Sequence, residues 1–189
     1  MSAHTPIDAS PHILELLSRL HQTSLDQEAT ISKSGKVFSH TVRGDLEDKA
    51  SGGNVDDQFD KLMLDKFIAL DEDKCHYVYQ LIHAIGATNV IEAGTSFGVS
   101  TIYLALAVSQ VKAATGKSGT VIATEKEFEK AQIARQYWEQ CGAAVQSEID
   151  LRVGDLLETL KTGLPKVDLL LRDSKIAHAK MTHPSRSLR

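Results

Sequence analysis

The stretch N89-VIEAGTSFGVSTIYL-A105 decides how the rest of the chain is read. It runs apolar, then acidic, then small and glycine-rich, then apolar again with helical spacing. "NVIEA" reads as a short buried strand, and "STIYLALAVSQVKAAT" as a helix entered through a glycine turn. Gly94 and Gly98 let the backbone bend sharply and let a ligand approach with no Cβ in the way. Thr95, Ser96, Ser100 and Thr101 add hydroxyls, and the helix start adds unpaired amide donors. Such a turn suits a polar, partly anionic small molecule, although glycines alone fit a tight ligand-free connection equally well.

Downstream, the alternation continues. "GTVIATE" predicts a strand, "KEFEKAQIARQYWEQCG" a helix closed by Gly142, "IDLRVGD" a strand, "LLETLKTG" a short helix and "VDLLLRD" a fourth strand. Strand and helix in turn imply parallel strands with right-handed crossovers, a doubly wound α/β sheet of Rossmann-like type. The strands read as continuously apolar, as expected where helices cover both faces. Upstream, "DEDKCHYVYQLIHAIGA" predicts a helix with acids at its start and a stop at Gly86. "VDDQFDKLMLDKFIAL" predicts another, with Phe59, Leu62, Met63, Lys66 and Phe67 on one face. A first helix spans residues 12–31 with a stripe of Ile13, Leu16, Leu17 and Leu20, and a polar loop follows to about Asn54. The Arg43-Gly44-Asp45 triplet in that loop reads as a surface turn.

In an open parallel sheet, ligands sit beyond the carboxyl ends of the strands, near the switch in strand order. Acids recur at those ends. Glu125 ends the second strand, where a carboxylate can accept hydrogen bonds from both hydroxyls of a ribose; Asp155 follows the third and Asp173 ends the fourth. Each alone is an ordinary N-cap or turn acid. Around one crevice with the glycines, they favour a nucleoside-containing cofactor. The dinucleotide pattern Gly-x-Gly-x-x-Gly is absent, and Gly116-Lys117-Ser118 lacks the upstream glycine and preceding strand of a phosphate loop. The residues themselves reach as far as an adenosine-like cofactor.

"VIEAGTSFGVSTIYLALAV" resembles the first motif of S-adenosylmethionine-dependent O-methyltransferases of the catechol and caffeoyl-CoA group. "VIATEKEFEKAQIARQYWEQCG", "IDLRVGDLLETL" and "VDLLLRD" resemble the elements that follow it, in the same order, over roughly residues 55–173. The resemblance implies a class I methyltransferase fold preceded by helices. It implies S-adenosylmethionine as cofactor, with Glu92 and Gly94 on the methionine side and Ser96, Gly98 and Ser100 at its amino and carboxylate groups. Glu125 would hold the ribose and Asp155 would lie near the adenine. Asp173 stands where metal-dependent members have a metal carboxylate and others a catalytic acid. The implied reaction is methyl transfer to a hydroxyl of a small metabolite. An NAD-dependent oxidoreductase fits less well, because the third glycine is missing.

After Asp173 the residues "SKIAHAKMTHPSRSLR" contain no further apolar strand, so a member shortened after its fourth core strand is expected. Three regions follow: an N-terminal helix and polar loop over 1–54, a cofactor-binding core over 55–173 and a non-family tail over 174–189. Arg172 suits an exposed edge strand. That edge makes a second reading possible: an inactive homologue that binds cofactor only, forms a homo-oligomer or pairs with a full-length partner. No second downstream carboxylate accompanies Asp173, so no divalent metal is expected. His178 and His183 read as surface histidines, and Cys75 and Cys141 as buried thiols with no base beside them. Trp138 and Tyr137 read as packing residues.

At 189 residues, with 42% hydrophobic and 24% charged content, the sequence suits one ordinary globular core. A formal net charge of -4 argues against a broad nucleic-acid or membrane surface. Apolar runs stay short of the ~20 residues that span a bilayer. The N-terminus lacks a secretory pattern and the cysteines have no paired spacing, so a cytoplasmic location is expected.

Overall fold

The computed structural model describes residues 5–33, 66–67 and 69–172. The loop at 34–54, most of the helix expected over 55–70, Asp173 and the tail with His178 and His183 lie outside the described residues. The elements run α1 (Pro11–Lys33), α2 (Glu72–Ile85), β1 (Asn89–Ala93), α3 (Val99–Thr115), β2 (Thr120–Glu125), α4 (Phe128–Cys141), α5 (Ala143–Gln146), β3 (Ile149–Val153), α6 (Leu156–Thr159) and β4 (Leu169–Arg172).

All four strands are parallel, in the order β3-β2-β1-β4. The chain builds outward from β1 through β2 to β3, then returns to the other side of β1. The switch in direction therefore lies between β1 and β4. Ile91 sits between Ile122 and Leu170, and Ala93 between Thr124 and Arg172, so the carboxyl ends of these three strands are level. Asp168 sets that register from below: its carboxylate accepts the backbone N–H groups of Thr88 and Asn89, each at 3.0 Å. Those bonds hold its pKa below the usual carboxylate range.

β1 and β2 are buried on both faces after their first residues. α3, apolar nearly all round, is buried along most of its length, as such a helix must be. The expectation of coverage on both faces fails for the outer strands. β3 is largely half-buried, and β4 alternates between half-buried and exposed, with Leu170 58% exposed. Among the described residues no helix covers that face of β4. Arg172 at the end of β4 is exposed, as its charge requires. The short α5 was not expected from the sequence. It follows Gly142, whose φ of 82° turns the chain directly into another helical turn.

Pro11 opens α1 at a position where its missing N–H has no helical partner to lose. Ile13, Leu16, Leu17 and Leu20 of α1 join the same hydrophobic core as α2, α3 and the sheet. Farther along the same face the packing becomes polar: buried His21 shares a 3.0 Å hydrogen bond between its Nε2 and the Tyr103 hydroxyl of α3. Lys66, Phe67, Ala69 and Leu70 are irregular, not the end of a helix as the periodicity predicts. The Phe67 and Ala69 N–H groups bond to side chains of α1 (Gln27 Oε1 at 2.8 Å, Ser24 Oγ at 2.9 Å) in place of helical carbonyls.

Burial holds the His21 pKa below its ordinary value. Glu72 opposes that shift, His76 adds to it and Asp71 opposes it. The unfolded chain therefore binds a proton at this site before the folded chain does. Stability from this site is complete above about pH 6.5 and declines as pH falls below that value toward the lower folded pKa. Urea unfolding at pH 7.5 and 5.5 is expected to show a lower midpoint at the acid pH. His21→Gln, which keeps a polar group facing Tyr103, is expected to reduce that difference.

Candidate functional site

Between β1 and α3 the backbone passes through three left-handed positions: Gly94 at φ 92°, Ser96 at φ 51° and Gly98 at φ 77°. A serine tolerates that region only under outside restraint, because its Cβ crowds the backbone there. The restraint comes from β2. Thr95 N–H donates to the Thr124 carbonyl at 2.8 Å, and Gly94 N–H reaches Thr124 Oγ1 at 3.3 Å. Gly98 is also boxed in from α4: a Cβ there would lie 2.6 Å from Trp138 Nε1, whose indole N–H donates to the Gly98 carbonyl at 2.9 Å. Trp138 is buried and packs, as expected, but it also fixes the turn.

Glu92 is 1% exposed. Its Oε2 accepts the hydroxyls of Thr95 (2.9 Å) and Thr101 (2.5 Å), and its Oε1 that of Ser100 (2.5 Å). Glu92, assigned by the resemblance to the methionine side of the cofactor, thus has its carboxylate enclosed by the hydroxyls of Thr95, Ser100 and Thr101. A carboxylate buried this deeply needs donors, and it takes them from the turn and the first turn of α3. The Ser100 proton is committed to Glu92 as well. α3 itself begins with no side-chain cap at Gly98, so the amide donors of its first turn receive no side-chain acceptor there.

Glu125, at the end of β2, meets the turn directly. Its Oε2 accepts the Ser96 N–H at 2.6 Å and its Oε1 the Glu127 N–H at 2.9 Å. A carboxylate offers about four lone-pair positions, so two remain for further donors. Next along the sheet, Gly154 N–H donates to the Glu125 carbonyl at 2.8 Å. This places Asp155 beside Glu125, yet the Asp155 carboxylate caps α6, accepting Leu157 N–H at 2.7 Å. The fold thus brings Glu92, Gly94, Ser96, Gly98, Ser100 and Glu125 to the carboxyl ends of β1 and β2, with Asp155 at the rim. The reading of the sequence missed Thr124, whose backbone and side chain both hold the turn. Its signal was a hydroxyl just before the strand-ending acid.

Other chemistry is weaker. Burial, and then Glu92, push the Cys75 thiol far up, and burial pushes Cys141 up to about 11, so neither forms a reactive thiolate near neutrality. Among the described residues no three acidic, histidine or cysteine side chains converge as metal ligands. Two surface hollows lie elsewhere. One of about 640 Å³ runs between α1 and α4 beside His12, Arg19 and Gln140; another of about 440 Å³ lies at the amino ends of the strands beside Lys117, Lys166 and Asp168. Parallel sheets bind ligands at the carboxyl ends of their strands, so backbone geometry and donor chemistry select the glycine turn over these hollows.

A model of the O-methyltransferase family matches residues 58–175, more than half of the chain. The chain belongs to the O-methyltransferase family. Among solved structures it is similar to the cofactor-bound protein Rv0187 from MTB. The two are 27% identical, with a TM-score of 0.50, and the match covers 70% of this chain and 59% of that one. It is also similar in fold to the O-methyltransferase from Bacillus cereus in complex with SAH (22% identity, TM-score 0.51, 70% of this chain and 60% of that one). The chain thus spans about three-fifths of the length of these relatives. A search of curated proteins returned no match. The family and the parallel sheet agree with the resemblance read from the glycine turn. No helix among the described residues of this O-methyltransferase family member is long and apolar enough to cross a membrane.

Proposed function

We propose that the glycine turn binds S-adenosylmethionine and that the protein transfers its methyl group to a hydroxyl of a small metabolite. The observation that carries this reading is the 2.6 Å bond from Ser96 N–H to Glu125 Oε2. It locks a left-handed turn against an acid with spare acceptor capacity, beside an uncapped helix start, at the switch point of a parallel sheet. Family membership supports the same assignment, as does the cofactor-bound state of the MTB relative.

The donor set fits the group. Glu125 would accept from the ribose hydroxyls, and Gly94 and Gly98 would let the methionine end approach the backbone. The first amides of α3 would face its carboxylate, with the favourable end of the helix dipole behind them. Ser96 and Ser100 would contribute mainly through the backbone, and Glu92 by shaping the turn from within. Asp155 would border the adenine. When bound, the group supplies a methyl on a cationic sulfur, which an acceptor oxygen can displace in line. The task of this chain is to hold the donor in one orientation, and orientation of that kind can lower a barrier by ~7–11 kcal/mol. Asp173 is the candidate for the acid beside the acceptor. A cytoplasmic location and a core over residues 55–173 complete the proposal.

A second reading, cofactor binding without transfer, is favoured by one observation. β4 leaves Leu170 58% exposed, and among the described residues no strand pairs with its outer edge. An open edge can pair with another chain, either a second copy or a longer homologue.

Calorimetric titration with S-adenosylhomocysteine tests the shared element of both readings. Saturable binding by the wild type is expected. Charge-assisted hydrogen bonds are worth ~1.5–3 kcal/mol each, so Glu125→Ala, which removes two, is expected to weaken binding about a hundredfold or more. Wild-type protein that is folded and shows no binding would sink both readings.

A further inference from the structure

Three polar residues follow one another along the inner face of α1: His21, Ser24 and Gln27. The last two are the acceptors for the backbone N–H groups of Ala69 and Phe67. Alternate amides of an irregular segment are thus paired with side chains, as a neighbouring strand would pair them. The side chain of Phe67 is buried at 5% exposure and stacks on Phe97, with ring centroids 4.8 Å apart and planes 27° apart. Tyr137 of α4 meets Phe67 edge-on at 6.1 Å, and the Lys130 ammonium lies 5.4 Å from the centre of the Phe97 ring. Phe97 is the residue between the left-handed Ser96 and Gly98. A continuous set of contacts therefore runs from α1 through Phe67 to the turn, and from Ser96 to Glu125.

We propose that Gln27 and Ser24 are positioning residues for this turn: by holding the backbone at Phe67 and Ala69 they press Phe67 on Phe97 and keep Ser96 in the conformation that meets Glu125. The proposal rests on the reading of the turn as the cofactor site. Its physical basis is that Ser96 is in a region an L-residue does not prefer, so the turn depends on what packs against it. α1 is distant in sequence from the turn, and it acts through packing and two side-chain acceptors without touching the ligand itself.

The full chain carries a single tryptophan, Trp138, and its indole N–H bonds to the Gly98 carbonyl. Its fluorescence therefore reports on the turn without any cofactor. Gln27→Leu removes the acceptor for Phe67 N–H, whereas Gln27→Glu keeps an acceptor oxygen at the same reach. Expected results are a change in Trp138 emission and acrylamide quenching in Gln27→Leu, with Gln27→Glu close to wild type. Affinity for S-adenosylhomocysteine should fall about tenfold in Gln27→Leu, as loss of one partly buried hydrogen bond and its packing implies, and recover in Gln27→Glu. Measurements are made below the unfolding range of each variant. If Gln27→Leu does not fold, Ser24→Ala, which removes the other acceptor, is measured in its place with the same expectation. Unchanged Trp138 signals in a folded Gln27→Leu overturn the proposal, and so does equal loss in Gln27→Leu and Gln27→Glu. A wild type that binds no S-adenosylhomocysteine overturns the cofactor reading, and with it the affinity arm, whereas the fluorescence arm still decides whether α1 sets the turn.

Discussion

Gly98→Ala is expected to lower stability by about 3 kcal/mol or more, from overpacking together with a left-handed backbone. Two separate causes combine. The residue sits at φ 77°, and an added methyl would lie 2.6–2.8 Å from three atoms of the Trp138 indole. Trp138 cannot simply withdraw, because it is buried and its indole N–H is bonded to the Gly98 carbonyl. Gly116→Ala provides the control. It has a similar φ of 69° but open space around the added carbon, so only the backbone term remains, at about 1–2 kcal/mol. Urea unfolding of the two variants separates strain from clash. Equal losses would mean that Trp138 moves freely and that the turn is less confined than its contacts indicate.

Glu92→Ala is expected to have a comparable effect for a different reason. It strands the hydroxyls of Thr95 and Thr101, both buried, together with that of Ser100. Unsatisfied buried donors are penalised by about 1–3 kcal/mol each, and partial relaxation brings the total to roughly 3–5 kcal/mol. Glu92→Gln keeps the shape and one acceptor oxygen, so its loss should be clearly smaller. The contrast matters for function as well. If Glu92 acts on the cofactor only through the shape of the turn, folded Glu92→Gln should retain much of its affinity for S-adenosylhomocysteine. A folded Glu92→Gln with affinity as low as Glu125→Ala would instead place the Glu92 carboxylate in contact with the ligand.

The alternation from Asn89 onward was legible because each element carries its own local signal: apolar runs for the strands, Gly86 and Gly142 for helix ends, and Gly94 and Gly98 for the turn. The position of Glu125 followed from the same punctuation, since the last residue of a parallel strand points toward the ligand end of the sheet. Side-chain direction was less legible. The resemblance assigned Glu92 to the methionine side of the cofactor, and nothing in its spacing shows that three nearby hydroxyls close around it. Asp155 was open to both an N-cap and a ligand role, and the cap at Leu157 is what forms. The irregular path at Phe67 and Ala69 was hidden for another reason. It is set by Ser24 and Gln27, more than 35 residues away, and helical periodicity in "FDKLMLDKF" carries no trace of them. The exposed face of β4 was masked by its composition, because Leu169, Leu170 and Leu171 are all apolar whether or not a neighbour covers them.

The most direct test of the central claim locates the ligand. Amide proton–nitrogen correlation spectra of the labelled chain, titrated with S-adenosylhomocysteine, should show shifts concentrated at Gly94–Ser100 and Glu125–Glu127, with Lys117 and Lys166 at the opposite end of the sheet unmoved. Shifts centred on Lys117 and Lys166, or a folded spectrum that does not respond at all, would contradict the assignment of the glycine turn as the cofactor site.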